Sequence, residues 1–412
     1  NDTIFAGNGN DTVSIGNSDT GDKLVYMDKL QDYLNIISTT GNHIAYLGEN
    51  NDNAFLEANS GNIQVFGESG NDKIYAQNFG SDTLDGGNDD DEVAIGDGSI
   101  GRKSLIGGFG DDTIDVQDSS GYAPNQILPN TQVSVNAGEG TDTVHYHRGL
   151  FLPDENNGGD DNDTITFEQA TWLILRDKSI ENFETINWSG EDDSVVFADG
   201  NNTRTGGAAV TVNGNSGEDF IDASRETASS YVLNGGDYSD TLKGGAAADS
   251  LRGGSDEDLL TGGGGADQFR MIEQWNSTSY SDVIQDFTGN LDKLVFNGNA
   301  FSDISAIDGY KGTAGNSATA NDNLLIATGQ SYTSLAEFDA FLTAGTADTD
   351  KPGFYIFFNG SANRGEIWFD TSMVSTDGAV LVATFNNITA VNQLAQFNEG
   401  PSGGNSGDFV II

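Results

Sequence analysis

Large apolar residues along this chain stand one at a time between polar neighbours. They recur at intervals of about nine or ten residues, not at helical spacing. The pattern is sharpest over residues 235–270, which read GGDYSDTLK, GGAAADSLR, GGSDEDLLT and GGGGADQFR without insertion. Asp240, Asp249, Asp258 and Asp267 fall nine residues apart, and Leu242, Leu251, Leu260 and Phe269 follow two positions after them. An x-U-x triplet is a very short strand in which only the middle side chain points inward. The Gly-Gly pair opening each unit supplies the backbone freedom of a tight turn. Short apolar triplets separated by Gly, Asn, Asp and Ser argue for strands over helices.

Two such units make one coil of about 18 residues, so aspartates from alternate units stack on one edge. Bare carboxylates at the ~4.8 Å spacing of neighbouring strands repel each other. A hard cation bound by those carboxylates and by turn carbonyls removes the conflict. Oxygen-only ligands in flexible turns point to Ca²⁺ over Mg²⁺ or Zn²⁺. The candidate ligand positions in the regular stretch are Gly235, Asp240, Gly244, Asp249, Gly253, Asp258, Gly262 and Asp267.

Looser copies fill the first half. AGNGNDTVS carries Asp11, GESGNDKIY carries Gly67 and Asp72, and QNFGSDTLD carries Asp82. GGNDDDEVA carries Gly86 and Asp91, and GGFGDDTID carries Gly107, Gly110 and Asp112. AGEGTDTVH carries Gly140 and Asp142, GGDDNDTIT carries Gly158 and Asp163, and GNSGEDFID carries Asp219. Loops without calcium are expected at 119–129 and 147–157. The chain opens inside a unit, Asn1-Asp2-Thr3-Ile4-Phe5, which suggests a portion of a longer protein.

These units resemble the RTX family, whose nonapeptide GGxGxDxUx forms calcium-binding parallel β-rolls. The resemblance implies an all-β chain: a right-handed parallel β-solenoid followed by a small C-terminal antiparallel β domain. The expected divisions are an irregular solenoid over 1–234, a regular roll over 235–281 and a capping domain over 282–412. SDVIQDFTGNLDKLVFNG resembles the sequence that leads out of the roll in RTX proteases and other type I secretion substrates, and it adds Asp282 and Asp286 to the candidate ligands. GEIWFD and the strand ending in Ala383-Thr384 look like the closing hairpins of that region. The terminal Asp408-Phe409-Val410-Ile411-Ile412 resembles a type I secretion signal.

Composition narrows the function. With 17 basic and 64 acidic residues the net charge is −47, so the basic footprint that nucleic-acid binding requires is missing. There is no cysteine to staple a fold, and no apolar run reaches the ~18 residues of a membrane-spanning helix. At 36% apolar residues with a regular apolar column, the chain is not a disordered acidic tail. Neither an HExxH helix nor a GxSxG elbow occurs, so no catalytic residues are assigned. His145 and His147 read as strand residues on one face, and Trp172, Trp188, Trp275 and Trp368 as packing residues. The resemblance and the missing catalytic motifs lead to one expectation: an extracellular structural protein, a surface-layer (S-layer) or matrix subunit that folds and assembles on multiple Ca²⁺ ions. Its expected partners are further copies of itself in a lattice or filament, cell-surface polysaccharide and the type I secretion machinery. The competing expectation is the secretion tail of an enzyme or adhesin whose head lies upstream.

Overall fold

The computed structural model describes residues 2–16, 20–37, 39–57, 59–96, 98–117, 132–147, 155–168, 172–175, 179–197, 208–271, 281–297, 309–312, 324–328, 330–338, 353–370, 379–397 and 408–411. The expected loop at 119–129 and most of that at 147–157 lie outside these residues. The chain forms two compact units, one of Asn1–Gly190 with Ala198–Val210, the other of Glu191–Phe197 with Thr211–Ile412.

In the first unit the chain alternates between two parallel ladders. One ladder runs Asp2–Phe5, Lys23–Tyr26, His43–Glu49, Ile63–Ser69, Asp82–Asn88, Arg102–Phe109, Gln132–Glu139 and Glu155–Asp160. The other runs Thr12–Gly16, Tyr33–Ile37, Asn53–Glu57, Lys73–Gln77, Glu92–Ile95, Thr113–Val116, Thr143–Tyr146, Thr164–Phe167 and Thr185–Asn187. Each coil is two strands and two turns, and like positions register from coil to coil. Leu34, Ala54, Ile74, Val93, Ile114, Val144, Ile165 and Ile186 form one fully buried inward column of the second ladder. Val25, Ala45, Val65, Leu84, Leu105 and Val135 form its counterpart in the first. Each large aliphatic side chain so buried contributes about 1.5–3 kcal/mol. Outward positions stack rings, with Phe5, Tyr26, Tyr46 and Phe66 spaced 5.2 Å apart.

The coils here are longer than the 18 residues expected from the regular repeat: successive rungs are 21, 20, 20, 19 and 21 residues apart. The excess sits in one half. From a first-ladder inward position to the next aspartate the count is always nine, as in Lys23 to Asp32, Ile63 to Asp72, Asp82 to Asp91 and Lys103 to Asp112. The return half takes ten to twelve in most coils, as in Asp72 to Asp82 and Asp91 to Lys103, and 21 from Asp112 to Val133.

The second unit contains the regular roll. One ladder holds Ser194–Phe197, Phe220–Asp222, Thr241–Lys243, Leu259–Thr261 and Asp282–Ile284; the other holds Val210–Ser216, Tyr231–Asp237, Ser250–Gly254, Gln268–Met271 and Lys293–Phe296. Here the rungs are 18 residues apart. The hairpins expected after the roll are present: Gly353–Asn359, Arg364–Asp370 and Val380–Phe385 are antiparallel. They are not a detached domain. Val380–Phe385 pairs in parallel with Asp282–Ile284, and Phe409–Ile411 pairs in parallel with Lys293–Phe296. Both roll ladders are thus extended by C-terminal strands, and Leu324–Ala327 and Gly309–Gly312 add parallel strands beyond the hairpins.

Candidate metal centre

The nine-residue half ends at a turn whose aspartate points inward. In the first unit each such carboxylate accepts, through Oδ1, the backbone N–H of the aspartate one coil earlier. The chain of bonds runs Asp11 N–H to Asp32 (2.7 Å), Asp32 to Asp52 (2.6 Å), Asp52 to Asp72 (2.7 Å) and Asp72 to Asp91 (2.7 Å). It continues Asp91 to Asp112 (2.8 Å), Asp112 to Asp142 (2.8 Å) and Asp142 to Asp163 (2.9 Å). Asp163 donates to Glu184 Oε2, where a longer side chain takes the acceptor's place. In the second unit the same ladder runs Asp193 to Asp219, Asp219 to Asp240 and Asp240 to Asp258, each 2.8 Å, then Asp258 to Asp282 at 3.3 Å.

The second oxygen is the informative one. Oδ2 of Asp11, Asp32, Asp52, Asp72, Asp91, Asp112, Asp142, Asp163, Asp219 and Asp240 is buried without a hydrogen-bond partner. Buried polar atoms are nearly always satisfied, and a recurring exception marks a position suited to an ion or a water. The glycine five residues before the aspartate packs directly against that oxygen in six of these turns. At Gly67, Gly86, Gly107, Gly158, Gly214 and Gly235 a Cβ would lie 2.0–2.7 Å from that Oδ2. Over Gly107 the same spot is 2.3 Å from the carbonyl oxygen of Ala137 on the next coil. Glycine therefore lets a carboxylate oxygen and a backbone carbonyl of the next coil converge where no side chain fits. That donor set is hard and oxygen-only, as Ca²⁺ requires. Gly110 and Gly140, two residues before Asp112 and Asp142, have φ of +128° and +135° and turn the chain into the aspartate.

Electrostatics agree with the geometry. Burial, followed by the charge of neighbouring aspartates, pushes Asp72, Asp112 and Asp240 up to about 8, against the backbone N–H bond that each accepts. Burial likewise takes Asp52, Asp91, Asp163, Asp219 and Asp267 up to about 7, and Asp142 and Asp249 to about 6. Without a cation the stack holds its charge at a cost, and a divalent ion beside each Oδ2 reverses that.

The opposite edge of the roll carries a second, shorter column. Tyr231 N–H donates to Asp249 Oδ1 (2.7 Å), Asp249 to Asp267 (2.9 Å) and Asp267 to Asp292 (3.0 Å). Asp249 Oδ2 accepts Gly245 N–H at 2.6 Å, and both Asp286 oxygens are taken by the Gly262 and Gly263 N–H groups, at 2.9 and 2.8 Å. Gly244, Gly253 and Gly262 occupy the cradle position before Asp249, Asp258 and Asp267. Asp82 stands apart from the other sequence candidates: it lies on the return edge, where the buried Lys103 Nζ meets its Oδ2.

The pattern GGxGxD missed Asp32, Asp52, Asp193, Asp292 and Asp408. Met27 and Leu47 stand five residues before Asp32 and Asp52, where the motif expects glycine. The legible signal was the 20-residue step from Asp72 back to Asp52 and Asp32, with a small or aliphatic residue two places on. Asp408 accepts the Asn290 N–H through both oxygens, at 3.0 and 3.1 Å.

Other polar groups have local roles. His147 sits between Asp115 (2.9 Å from Nε2) and Glu168 (2.5 Å from Nδ1), and His145 Nδ1 is 3.9 Å from Glu168. The buried His43 meets Thr39 Oγ1 at 2.9 Å. Trp188 stacks on Phe167 in the core, and the half-buried Trp368 donates to Glu366; the Trp172 side chain and Trp275 lie outside the described residues.

The family model of the RTX calcium-binding nonapeptide repeat matches the chain in four copies, at residues 1–17, 50–79, 58–93 and 234–269. No curated protein matches the chain. The chain thus carries RTX repeats on a parallel β-solenoid, and repeats of this kind bind Ca²⁺ at multiple sites.

Proposed function

We propose that the chain is a calcium-dependent extracellular structural protein, a surface-layer or matrix-filament subunit that folds and assembles on Ca²⁺ after type I secretion. The observation that carries this reading is the column of buried Oδ2 atoms without partners. RTX repeat proteins are typically secreted. Where free Ca²⁺ is scarce, desolvated and mutually repelling carboxylates oppose the coil, and an unfolded chain can thread a narrow export channel. Extracellular calcium modules bind with Kd of roughly 10⁻⁴–10⁻³ M. At ten times Kd one site contributes ~1.4 kcal/mol, so six to ten coupled sites rival the whole stability of a domain.

Assembly is the part of this reading that rests on surface chemistry. Beyond the inward column, Asp89, Asp90, Asp111, Glu139 and Asp161 stand exposed at the turn tips of successive coils. At −47 overall, copies repel until divalent ions offset the charge, and exposed carboxylates can then share ions between copies. Electron microscopy and light scattering across a calcium titration test it. Sheets or filaments at millimolar Ca²⁺ that disperse with chelator are expected. A chain that folds with calcium but stays monomeric at high concentration sinks the structural reading and assigns the chain to the tail of a secreted enzyme or adhesin.

A further inference from the structure

The return edge of the first unit faces the same problem as the calcium edge and solves it with neutral groups. Asn59 Oδ1 accepts the Thr39 N–H at 2.8 Å, as an aspartate would, while its Nδ2 donates to the Ile36 carbonyl at 2.8 Å. Ser99 Oγ donates to the Ala76 carbonyl. One coil departs from this. Asp82 is buried, and its Oδ1 accepts the Ile63 N–H at 2.9 Å, repeating the geometry of the calcium column. Its Oδ2 is met by Lys103, which registers beside it one coil later. The Lys103 side chain is 0% exposed, and its Nζ also lies 2.5 Å from Asn78 Oδ1 and 2.5 Å from the Gly80 carbonyl.

We propose that Lys103 is a tethered cation seated in a calcium-type oxygen cradle, and that it holds this coil together without metal. Three oxygens surround the ammonium: a carboxylate, an amide and a backbone carbonyl. This is the class of donor that a small hard cation takes, and the three N–H bonds of an ammonium use all of it. The device recurs. Lys23 registers one coil after Asp2, with Nζ 3.0 Å from Asp2 Oδ2 and 3.3 Å from the Gly21 carbonyl. In both pairs the lysine follows the aspartate by 21 residues at the equivalent register position, although only Asp82 is buried. Burial pushes the Lys103 ammonium down, and the Asp82 carboxylate beside it works against that shift. The inference concerns the return edge, where a lysine and not a metal ion meets the carboxylate.

Two measurements on the full chain test it. The first is amide hydrogen exchange in chelator. Wild-type amides at Ile63 and Lys103 should stay protected, Lys103→Met should exchange roughly 100-fold faster or more because Asp82 is left buried and unpaired, and Asp82→Asn with Lys103→Met should restore protection. Full exchange of the wild-type amides in chelator, or no change in Lys103→Met, overturns the proposal. If Lys103→Met does not fold at all, the double variant decides: recovery supports a charge effect, and failure assigns the lysine to packing only. The second is native mass spectrometry with Ca²⁺ as the probe. Lys103→Ala empties the cradle and should bind one more Ca²⁺ than wild type, and adding Asp82→Asn should remove that ion. Equal counts in wild type and Lys103→Ala overturn the claim that these oxygens form a cation site.

Discussion

The first unit and the roll of the second stack the same kind of coil but treat its two edges differently. In the first unit aspartates line one edge, and amides, hydroxyls and two lysines line the other. In the roll both edges carry aspartate, through Asp219, Asp240 and Asp258 on one side and Asp249, Asp267 and Asp292 on the other. The difference follows the spacing. Nine-residue halves end in a carboxylate in both units. The first unit's return halves are longer and end in neutral groups or an internal ion pair. Where a glycine stands five residues before the aspartate, the nine-residue turn lets the carboxylate fold over it, with Oδ2 packed against the glycine. The longer turn brings in a further side chain, such as Asn59, whose two ends both find partners within the protein. The nonapeptide is therefore a half-coil module. Only where two follow each other do aspartates line both edges of the coil.

Chelation should separate the regions most strongly. With calcium removed, amides along the roll, such as Asp240, Asp249 and Gln268, should lose all protection. Those at the first unit's return turns, such as Ser60, Phe79 and Ile100, should lose least. Hydrogen exchange with and without chelator reads this directly, and equal loss at both sets would abolish the distinction between edges.

The next effect is a pH dependence that reverses with calcium. Burial pushes Asp52, Asp72, Asp112, Asp142 and Asp240 up to between about 6 and about 8, against 3.8 ordinarily. A raised carboxyl means the folded state binds more protons than the unfolded chain between those values. Stability from these groups is then fully present below pH ~4 and drains away as pH rises through 6 to 8. Chelated protein should melt higher at pH 5 than at pH 8. Calcium binding requires the ionised form and releases protons, so saturated protein should not lose stability over that range. Melting curves in chelator that are flat from pH 5 to 8 would mean the aspartates carry no such burden.

Placing a carboxylate on the wrong edge sharpens the contrast. Asn59→Asp removes the donor to the Ile36 carbonyl and buries an uncompensated charge on the return edge. We expect a loss of about 3 kcal/mol or more, with no rescue by Ca²⁺. Rescue at millimolar calcium would show that any buried carboxylate recruits an ion, whatever its turn.

What the sequence made legible follows the same line. The glycines and aspartates of GGxGxD could be read because the geometry needs both: no Cβ fits between Oδ2 and the neighbouring carbonyl at Gly107. Asp32 and Asp52 share the column but follow Met27 and Leu47, whose side chains sit in the core. Their place is set by register with neighbouring coils, which a local motif does not encode. The same holds for Lys103. Nothing within nine residues marks it, and its meaning lies 21 residues back at Asp82. Nor did the motif show that Val380–Phe385 and Phe409–Ile411 continue the roll, because those pairings close loops of about a hundred residues.

The smallest expected effect has the clearest sign. Asp112→Asn keeps the Oδ1 acceptor for the Asp91 N–H, seen now at 2.8 Å, so the ladder bond survives. It replaces the buried Oδ2, which has no partner, with an uncharged amide beside Gly107. Two consequences oppose each other. In chelator the variant is relieved of one desolvated charge and of repulsion from Asp142 and Asp91, so it should melt slightly higher than wild type. In calcium it lacks one anionic ligand, and the folding midpoint should move to roughly two- to threefold higher Ca²⁺. The control is Asn78→Ala on the return edge, which removes a lysine contact and should leave the calcium midpoint unchanged. A crossover seen for Asp112→Asn alone ties calcium to the nine-residue edge. If Asp112→Asn melts lower than wild type in chelator as well, the carboxylate is holding the fold by its own bonds, and the orphaned Oδ2 is not a cation ligand.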